Sequence, residues 1–450
     1  MDTGSSTTAA SGGSSQTSED MQMILSRGSS PFEPALGSPH VLVDPLFQDL
    51  PSSHRYYLSY FTNRLCKDLV SQDVPQRNPF RSLLKLTKTN PLLQYIIVAA
   101  SAAHMSNLVK SPYSAPNQNR MITFNQEEAS KTALRDALTA KQKALRLMHS
   151  ALQDIDLTGG DVALAAALFF VNVELIESGK HGWRPHLEGA GKIMTLLQPS
   201  SSSDSALRDY LLSDCFIYFI LASAFMPQNF QIQSYFQESQ IPLILERAAA
   251  NSYFCCPPEM LQILYAASQI SNGPSAASSQ EDMTAAGLAL VEKAKNFDIE
   301  RWANDARSTP YLENVPIQSR IHAGSAHRLA GCLYILQAVP SVGGIVGSEF
   351  ADTLRHELFT HLSSIPDDDP NFKATTWPTF IAGAETTDPE SRVWVMDRLQ
   401  RLVANCPWGF LYTAMDTLQV LWGLDTEGED GKRRSWVQTL KDPSLNFLIV

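Results

Sequence analysis

The sequence predicts an all-α protein, built as a large irregular multi-helix bundle or superhelix. Apolar residues recur at three- and four-residue spacings in segment after segment, whereas alternating β-branched stretches are scarce. No fixed-period repeat marks a regular solenoid. With 450 residues, 44% of them hydrophobic, the chain can bury a sizeable core, which excludes wholesale disorder.

Taken in order, residues 1–43 read as a disordered tail, and 44–450 as one helical domain. Of the first 40 residues, 22 are Ser, Thr, Gly or Pro, and no apolar run gives a signal peptide. Tyr57, Phe61, Leu65 and Leu69 recur every four residues and put a helix over 54–70. Asn90 is placed to cap a helix that begins at Pro91 and runs to about 110. The charged stretch 127–153 is helix-favouring. Thr158-Gly159-Gly160-Asp161 forms a turn, and 162–178 is apolar nearly all round, as in a central bundle helix. Further helices are predicted at 185–197, 207–225, 283–296, 320–338, 348–363, 389–404, 410–421 and 434–440. Serine-rich breaks at 200–205 and 271–282 read as loops inside the domain.

Charge narrows the function. Lysine and arginine total 35 against 46 aspartates and glutamates, a formal net charge of −11. That balance disfavours a chain that mainly binds nucleic acid, since phosphate neutralisation needs clustered cations. Lys432-Arg433-Arg434 is the one basic triplet, and it follows Glu427, Glu429 and Asp430. It reads as a solvated helix start or a weak nuclear import signal. Lys131, Arg135, Lys141, Lys143 and Arg146 read as a solvated helix face. Cys66, Cys215, Cys255, Cys256, Cys332 and Cys406 include no C-x-x-C, and read as reduced core residues. Apolar runs at 92–103 and 211–225 are too short to span a bilayer.

The catalytic and metal motifs that the sequence imitates are all incomplete. His356-Glu357-Leu358-Phe359-Thr360-His361 imitates a zinc-protease helix, but its histidines sit at i and i+5. That offset turns them apart around a helix, where i and i+4 would stack. His181/His186 and His322/His327 share it. Asp367-Asp368-Asp369 between Pro366 and Pro370, and Asn304-Asp305 with Ser308, imitate terpene-synthase magnesium motifs in the wrong order and read as solvated segments. Gly191-Lys192 lacks the other residues of a phosphate loop, and the glycine run 343–347 reads as an interhelical turn. No catalytic, cofactor-binding or metal-ligating residue is assigned, and no cofactor is expected.

Four segments together resemble the fungal-specific transcription factor domain, the helical region downstream of a zinc binuclear cluster in many regulators. They are Asn78-Pro79-Phe80-Arg81; Pro91-Leu92-Leu93 leading to Ala99-Ala100-Ser101-Ala102-Ala103-His104; Trp183-Arg184-Pro185-His186-Leu187-Glu188-Gly189-Ala190; and Trp377-Pro378-Thr379-Phe380-Ile381-Ala382-Gly383-Ala384-Glu385, followed by Arg392. The resemblance runs from about residue 44 to 421. Read physically, Trp183 with Leu187 and Ile193, and Trp377 with Phe380, are anchors between helices. Gly189 and Gly383 permit close helix approach, and Glu188 and Glu385 pair with arginines inside the bundle.

The resemblance implies a nuclear transcriptional regulator or co-regulator, plausibly of a metabolite gene cluster. The family's zinc cluster needs six cysteines within roughly thirty residues, and residues 1–65 contain none. The chain is therefore expected to act through protein contacts, with a DNA-binding transcription factor or as a homodimer, without sequence-specific DNA binding of its own and without a membrane. A helical module that senses a small-molecule effector is the alternative, and an enzyme on a helical scaffold the more remote one.

Overall fold

Helices form where the sequence supplies a start signal followed by a 3.6-residue apolar period, and they account for most of the described residues. The computed structural model describes residues 47–108, 120–197, 205–226, 241–273, 279–424, 435–442 and 445–450. The expected tail at 1–43, the linker residues 200–204 and Lys432-Arg433-Arg434 lie outside the described residues. Among the described residues there is no strand, only the isolated bridges Val70–Ser252 and Lys180–Phe447.

The first helix, α1 (Ser52–Tyr60), continues through a π-helical turn (Phe61–Leu65) into Cys66–Asp68. Tyr57, Phe61, Leu65 and Leu69 are all buried, as their spacing requires. After the short α2 (Leu83–Thr87), α3 (Pro91–Asn107) starts with Pro91 at its first position. Asn90 does not cap it: the Asn90 amide donates back to Leu86 O (3.0 Å), so it closes the preceding turn instead. The long α4 (Arg120–Gln153) buries Ala133, Ala137, Ala140, Ala144 and Ala151 and packs on α3, where Ala99, Ala100, Ala102 and Ala103 are buried. Small side chains on both surfaces let the two backbones approach closely. Next come α5 (Gly160–Glu177), buried at every position from Val162 to Ile176, and α6 (Trp183–Leu196), which packs on it.

The second half comprises α7 (Ser205–Phe225), α8 (Ile241–Ala248), α9 (Pro258–Asn272), α10 (Gln280–Lys295), α11 (Ile299–Asp305) and α12 (Ile317–Ala338). It continues with α13 (Pro340–Val346), α14 (Ser348–Ser363), α15 (Thr376–Glu385), α16 (Pro389–Asn405), α17 (Phe410–Gly423) and α18 (Trp436–Leu440). Central here is α12, which touches α9, α10, α11, α13, α14, α15 and α18. Helix starts follow known rules: Ser279 and Asp282 form a capping box at α10, and Asp388 Oδ1 accepts from Ser391 N (2.8 Å) at α16. The glycine run at 343–347 corrects the sequence reading. Pro340 nucleates α13, Gly343 and Gly344 lie within it, and the turn comes at Gly347, whose φ is +82°.

One continuous core joins both halves, from Phe47 to Val450. Its polar fastening is Asp68, buried where the N-terminal helical path meets α3 and the loop before α17. The Asp68 carboxylate accepts from Arg64 Nη1 (2.9 Å), His104 Nε2 (3.0 Å) and Trp408 Nε1 (3.0 Å). Tyr60 OH holds the other side of the His104 ring (2.8 Å), and Arg64 also donates to Asn405 O (2.8 Å). Burial opposes charge at Asp68, but Arg64, His104 and Lys373 outweigh it and hold the carboxyl well below the ordinary carboxylate range. Asp68→Ala leaves Arg64 and the buried Lys373 without their counter-charge. The expected loss is about 3–5 kcal/mol, read from urea denaturation at pH 7; a loss under about 1 kcal/mol would show the fastening to be dispensable.

Candidate functional site

The four family-like segments resolve into fastenings between helices. In the first, Asn78 Oδ1 caps Phe80 N (3.1 Å), while its amide donates to Cys66 O (2.8 Å) and Asp73 Oδ1 (2.9 Å). Arg81 Nη2 donates to Asp73 Oδ2 (2.8 Å) and to Thr62 O (2.9 Å). Burial works against the Asp73 charge, yet the hydrogen bonds from Arg81 and Asn78 bring its pKa down. In the second segment, His104 is the donor to Asp68.

The Trp183 segment divides between inside and outside. Trp183, Leu187 and Ile193 are buried, and the His186 ring stacks on Phe170 with centroids 4.8 Å apart. Nearby, Lys141 Nζ reaches in from α4 to Glu174 and Glu177, 2.8 Å from each. Two expectations fail. Glu188 pairs with Arg184 one turn away at the surface (2.8 Å), not inside the bundle. Gly189 faces open space, so no helix approach depends on it.

The Trp377 segment is α15, buried at every residue. Trp377 lies parallel to His327, whose Nε2 meets Ala374 O (3.0 Å). A Cβ on Gly383 would stand 2.7 Å from Leu418 Cδ1 and 2.9 Å from Val395 Cγ1, so here the absent side chain does permit close helix approach. Glu385 pairs as expected: its carboxylate accepts from Trp436 Nε1 (2.6 Å) and Arg355 Nη1 (3.2 Å). The Arg392 guanidinium lies over the Trp422 ring (5.2 Å).

Beside Glu385 opens a cleft of about 540 Å³ between α14, α15 and α16. Arg355, His356 and Asp352 line it from α14, with Glu385 and Glu390 opposite. Phe359 and Trp394 meet edge to face at 4.9 Å and supply its aromatic wall. A second, apolar cleft of about 560 Å³ lies among α8, α9 and α10, lined by residues such as Tyr265, Ile270 and Leu290.

The candidate catalytic groups are dispersed. His356 lines the first cleft, whereas the partner of His361 is His322 on α12. Asp367 pairs with Arg401 (2.8 Å), and Asp369 Oδ1 accepts from Asn371 N (2.7 Å) within its turn. Asn304 and Ser308 bond to backbone carbonyls of Glu300 and Asp305. All six cysteines are free, and burial raises the thiol pKa of each. Among the described residues, no three His, Cys, Asp or Glu converge where a metal ion would sit. Sequence reasoning passed over Asp214, an acid in the middle of the apolar helix α7. Its Oδ1 has no hydrogen-bond partner, and burial holds its pKa well above the ordinary value. Asp68 was also missed, and Lys141, read as part of a solvated face, instead turns inward to Glu174 and Glu177, because a local sequence does not reveal partners far along the chain.

His322 and His361 give the fold a pH dependence. Their Nδ1 atoms are 2.9 Å apart, so one ring donates to the other while both are neutral. Burial first, then His322 and Arg328, push His361 down to about 4, and burial lowers His322. Below pH 6.5 the unfolded chain takes up protons that the folded pair refuses, so stability is full above that pH and falls through the window down to about 4. Denaturation midpoints measured between pH 7.5 and 5 should fall, and His361→Gln should make the decline shallower. Identical slopes for variant and parent would show that the pair does not titrate in this way.

The sequence matches the family described as the fungal specific transcription factor domain over residues 56–450. It is 35% identical over 429 residues to the acriflavine sensitivity control protein acr-2 of Neurospora crassa, covering 91% of this chain and 69% of that protein. No solved structure matches the chain. A match that takes in α1 through the final buried residues, with the four segments working as its inter-helix fastenings, leads to one conclusion: the chain belongs to the fungal specific transcription factor domain family.

Proposed function

We propose that this chain, a fungal transcriptional regulator by family, acts in the nucleus through protein contacts and catalyses no reaction of its own. The carrying observation is the family match over 56–450. Two features support the finer reading. The six cysteines are spread from Cys66 to Cys406, and the net charge of −11 does not suit a phosphate-binding surface, so these 450 residues are better suited to protein contacts than to DNA. The name of the Neurospora relative suggests that the controlled genes include ones that set sensitivity to a toxic compound. Deleting the gene should change transcription of a defined gene set and alter growth on acriflavine. In a gel shift at physiological salt, the purified chain alone should show no sequence-specific binding. Tight specific binding by the isolated chain would overturn the partner reading, and an unchanged transcript profile would overturn the regulatory one.

The cleft beside Glu385 favours a second reading, in which the domain also senses a small effector. In that cleft Arg355 neutralises Asp352 and Glu385, and Glu390 lines it with Phe359 and Trp394, whose aromatic wall suits a planar aromatic effector. Through its Trp436 hydrogen bond, Glu385 connects that cleft to α18. Acriflavine titrated against the protein should bind saturably and lose most of its affinity in Trp394→Ala. Absence of saturable binding, or binding indifferent to that substitution, counts against sensing at this cleft.

A further inference from the structure

The longest helix is only half used by the fold. Its alanine stripe is buried against α3, but about 100° around the helix a second apolar stripe faces out. Leu134 is 36% exposed, Leu138 52%, Leu145 42% and Leu152 51%. Four of the ten exposed large hydrophobic residues among the described residues therefore share one helix, so this is a patch and not scatter. Leu138, Leu145 and Leu152 repeat every seven residues, with Leu134 four before the first and Met148 four before the last. That is the spacing of a coiled-coil seam, left exposed among the described residues. Lys141, which interrupts the seam, is drawn inward by Glu174 and Glu177.

The charges along the stripe are one-sided. Residues 131–153 contain five cations and one carboxylate; Lys131 pairs with Glu128 and Lys141 with Glu174 and Glu177, which leaves Arg135, Lys143 and Arg146. The carboxylate, Asp136, is turned inward and accepts from Tyr57 OH (2.7 Å). Arg135 and Arg146 are exposed and form no ion pair among the described residues, and they stand roughly 60° and 80° from Leu138 around the helix. A second copy of this face offers no outward carboxylate to meet Arg135 and Arg146, whereas a helix with Asp or Glu along that border does.

We propose that this face of α4 docks an amphipathic helix with leucine-type residues at heptad spacing and Asp or Glu on its flanks, carried by a partner regulator. The proposal rests on the reading that the chain works through protein contacts, and it names the surface and the chemistry of the contact. From Leu134 to Leu152 the seam is about 27 Å long, enough for five turns of a partner helix. Leucines supply the apolar contact, and Arg135 and Arg146 select the acidic border and set the register.

The test uses the full chain and two synthetic helices of about 25 residues with the same leucine seam, one flanked by Glu and the other by Lys. In fluorescence anisotropy the Glu helix should bind at least about tenfold tighter than the Lys helix and weaken as salt is raised. Leu138→Glu with Leu145→Glu should abolish binding, with helix content by circular dichroism unchanged because both side chains already face solvent. Arg135→Glu with Arg146→Glu should reverse the preference toward the Lys helix. Equal binding of the two helices, or binding untouched by these substitutions, would overturn the proposal. So would sedimentation showing a dimer that Leu138→Glu dissociates, since the occupant would then be a second copy. The two readings fail separately. If the leucine variants leave transcription normal while gene deletion disturbs it, this surface is wrong and the regulatory role stands.

Discussion

A carboxylate removed from water keeps its charge only if fixed donors and cations replace the solvent it has lost. Asp68 is that constraint in this fold. Its partners come from its own helical path, from α3 and from the loop that leads into α17, so the charge is tolerated only when all three are in place. Around it the backbone is joined in the same way: the Asn107 amide donates to Ile176 O (2.6 Å) and to Pro407 O (3.1 Å), tying α3 to the end of α5 and to that loop. Apolar burial gives the bundle most of its driving force, but it is non-directional. The directional bonds at Asp68, Asn78 and Glu385 select one arrangement among many that would bury similar area.

Much of the architecture was legible because helix signals are local. The apolar period placed α1, the turn at 158–161 before a continuously apolar stretch placed α5, and α14 begins and ends at Ser348 and Ser363, as predicted. Missing were α2, α8, α9, α11, α13 and α15: four of these span eight residues or fewer, α15 is buried at every residue, and α9 opens on Pro257-Pro258, which reads as a break. The pairing of Glu385 with an arginine was legible as chemistry, whereas the identity of that arginine, Arg355, was not. Glu188 shows the converse error: Arg184 stands at i−4, and a local pair needs no burial. The heptad on α4 was visible in the spacing of Leu138, Leu145 and Leu152, but the cations between them drew the reading toward a solvated face.

The segments that carry the family resemblance are thus mainly architectural. Trp183, Trp377 and Gly383 fix helix spacing, and Arg81 and His104 satisfy buried charge. Features suited to regulation lie beside these fastenings: the aromatic cleft shares Glu385 with one of them, and the exposed seam of α4 lies on the same helix as Lys141. A fold arranged this way can change its outward chemistry by altering Leu138 or Leu145 without disturbing the interior.

Trp408 is 340 positions beyond Asp68 in the chain, while His104 is only 36 beyond it. During synthesis at about 5–20 residues per second, roughly 15–60 s separate the emergence of His104 from that of Trp408. Throughout that interval the carboxylate lacks its indole donor and must stay hydrated, so the alanine-faced pair α3 and α4 cannot be sealed at that end. A nascent chain therefore leaves this end of its core unfinished until Trp408 has been made.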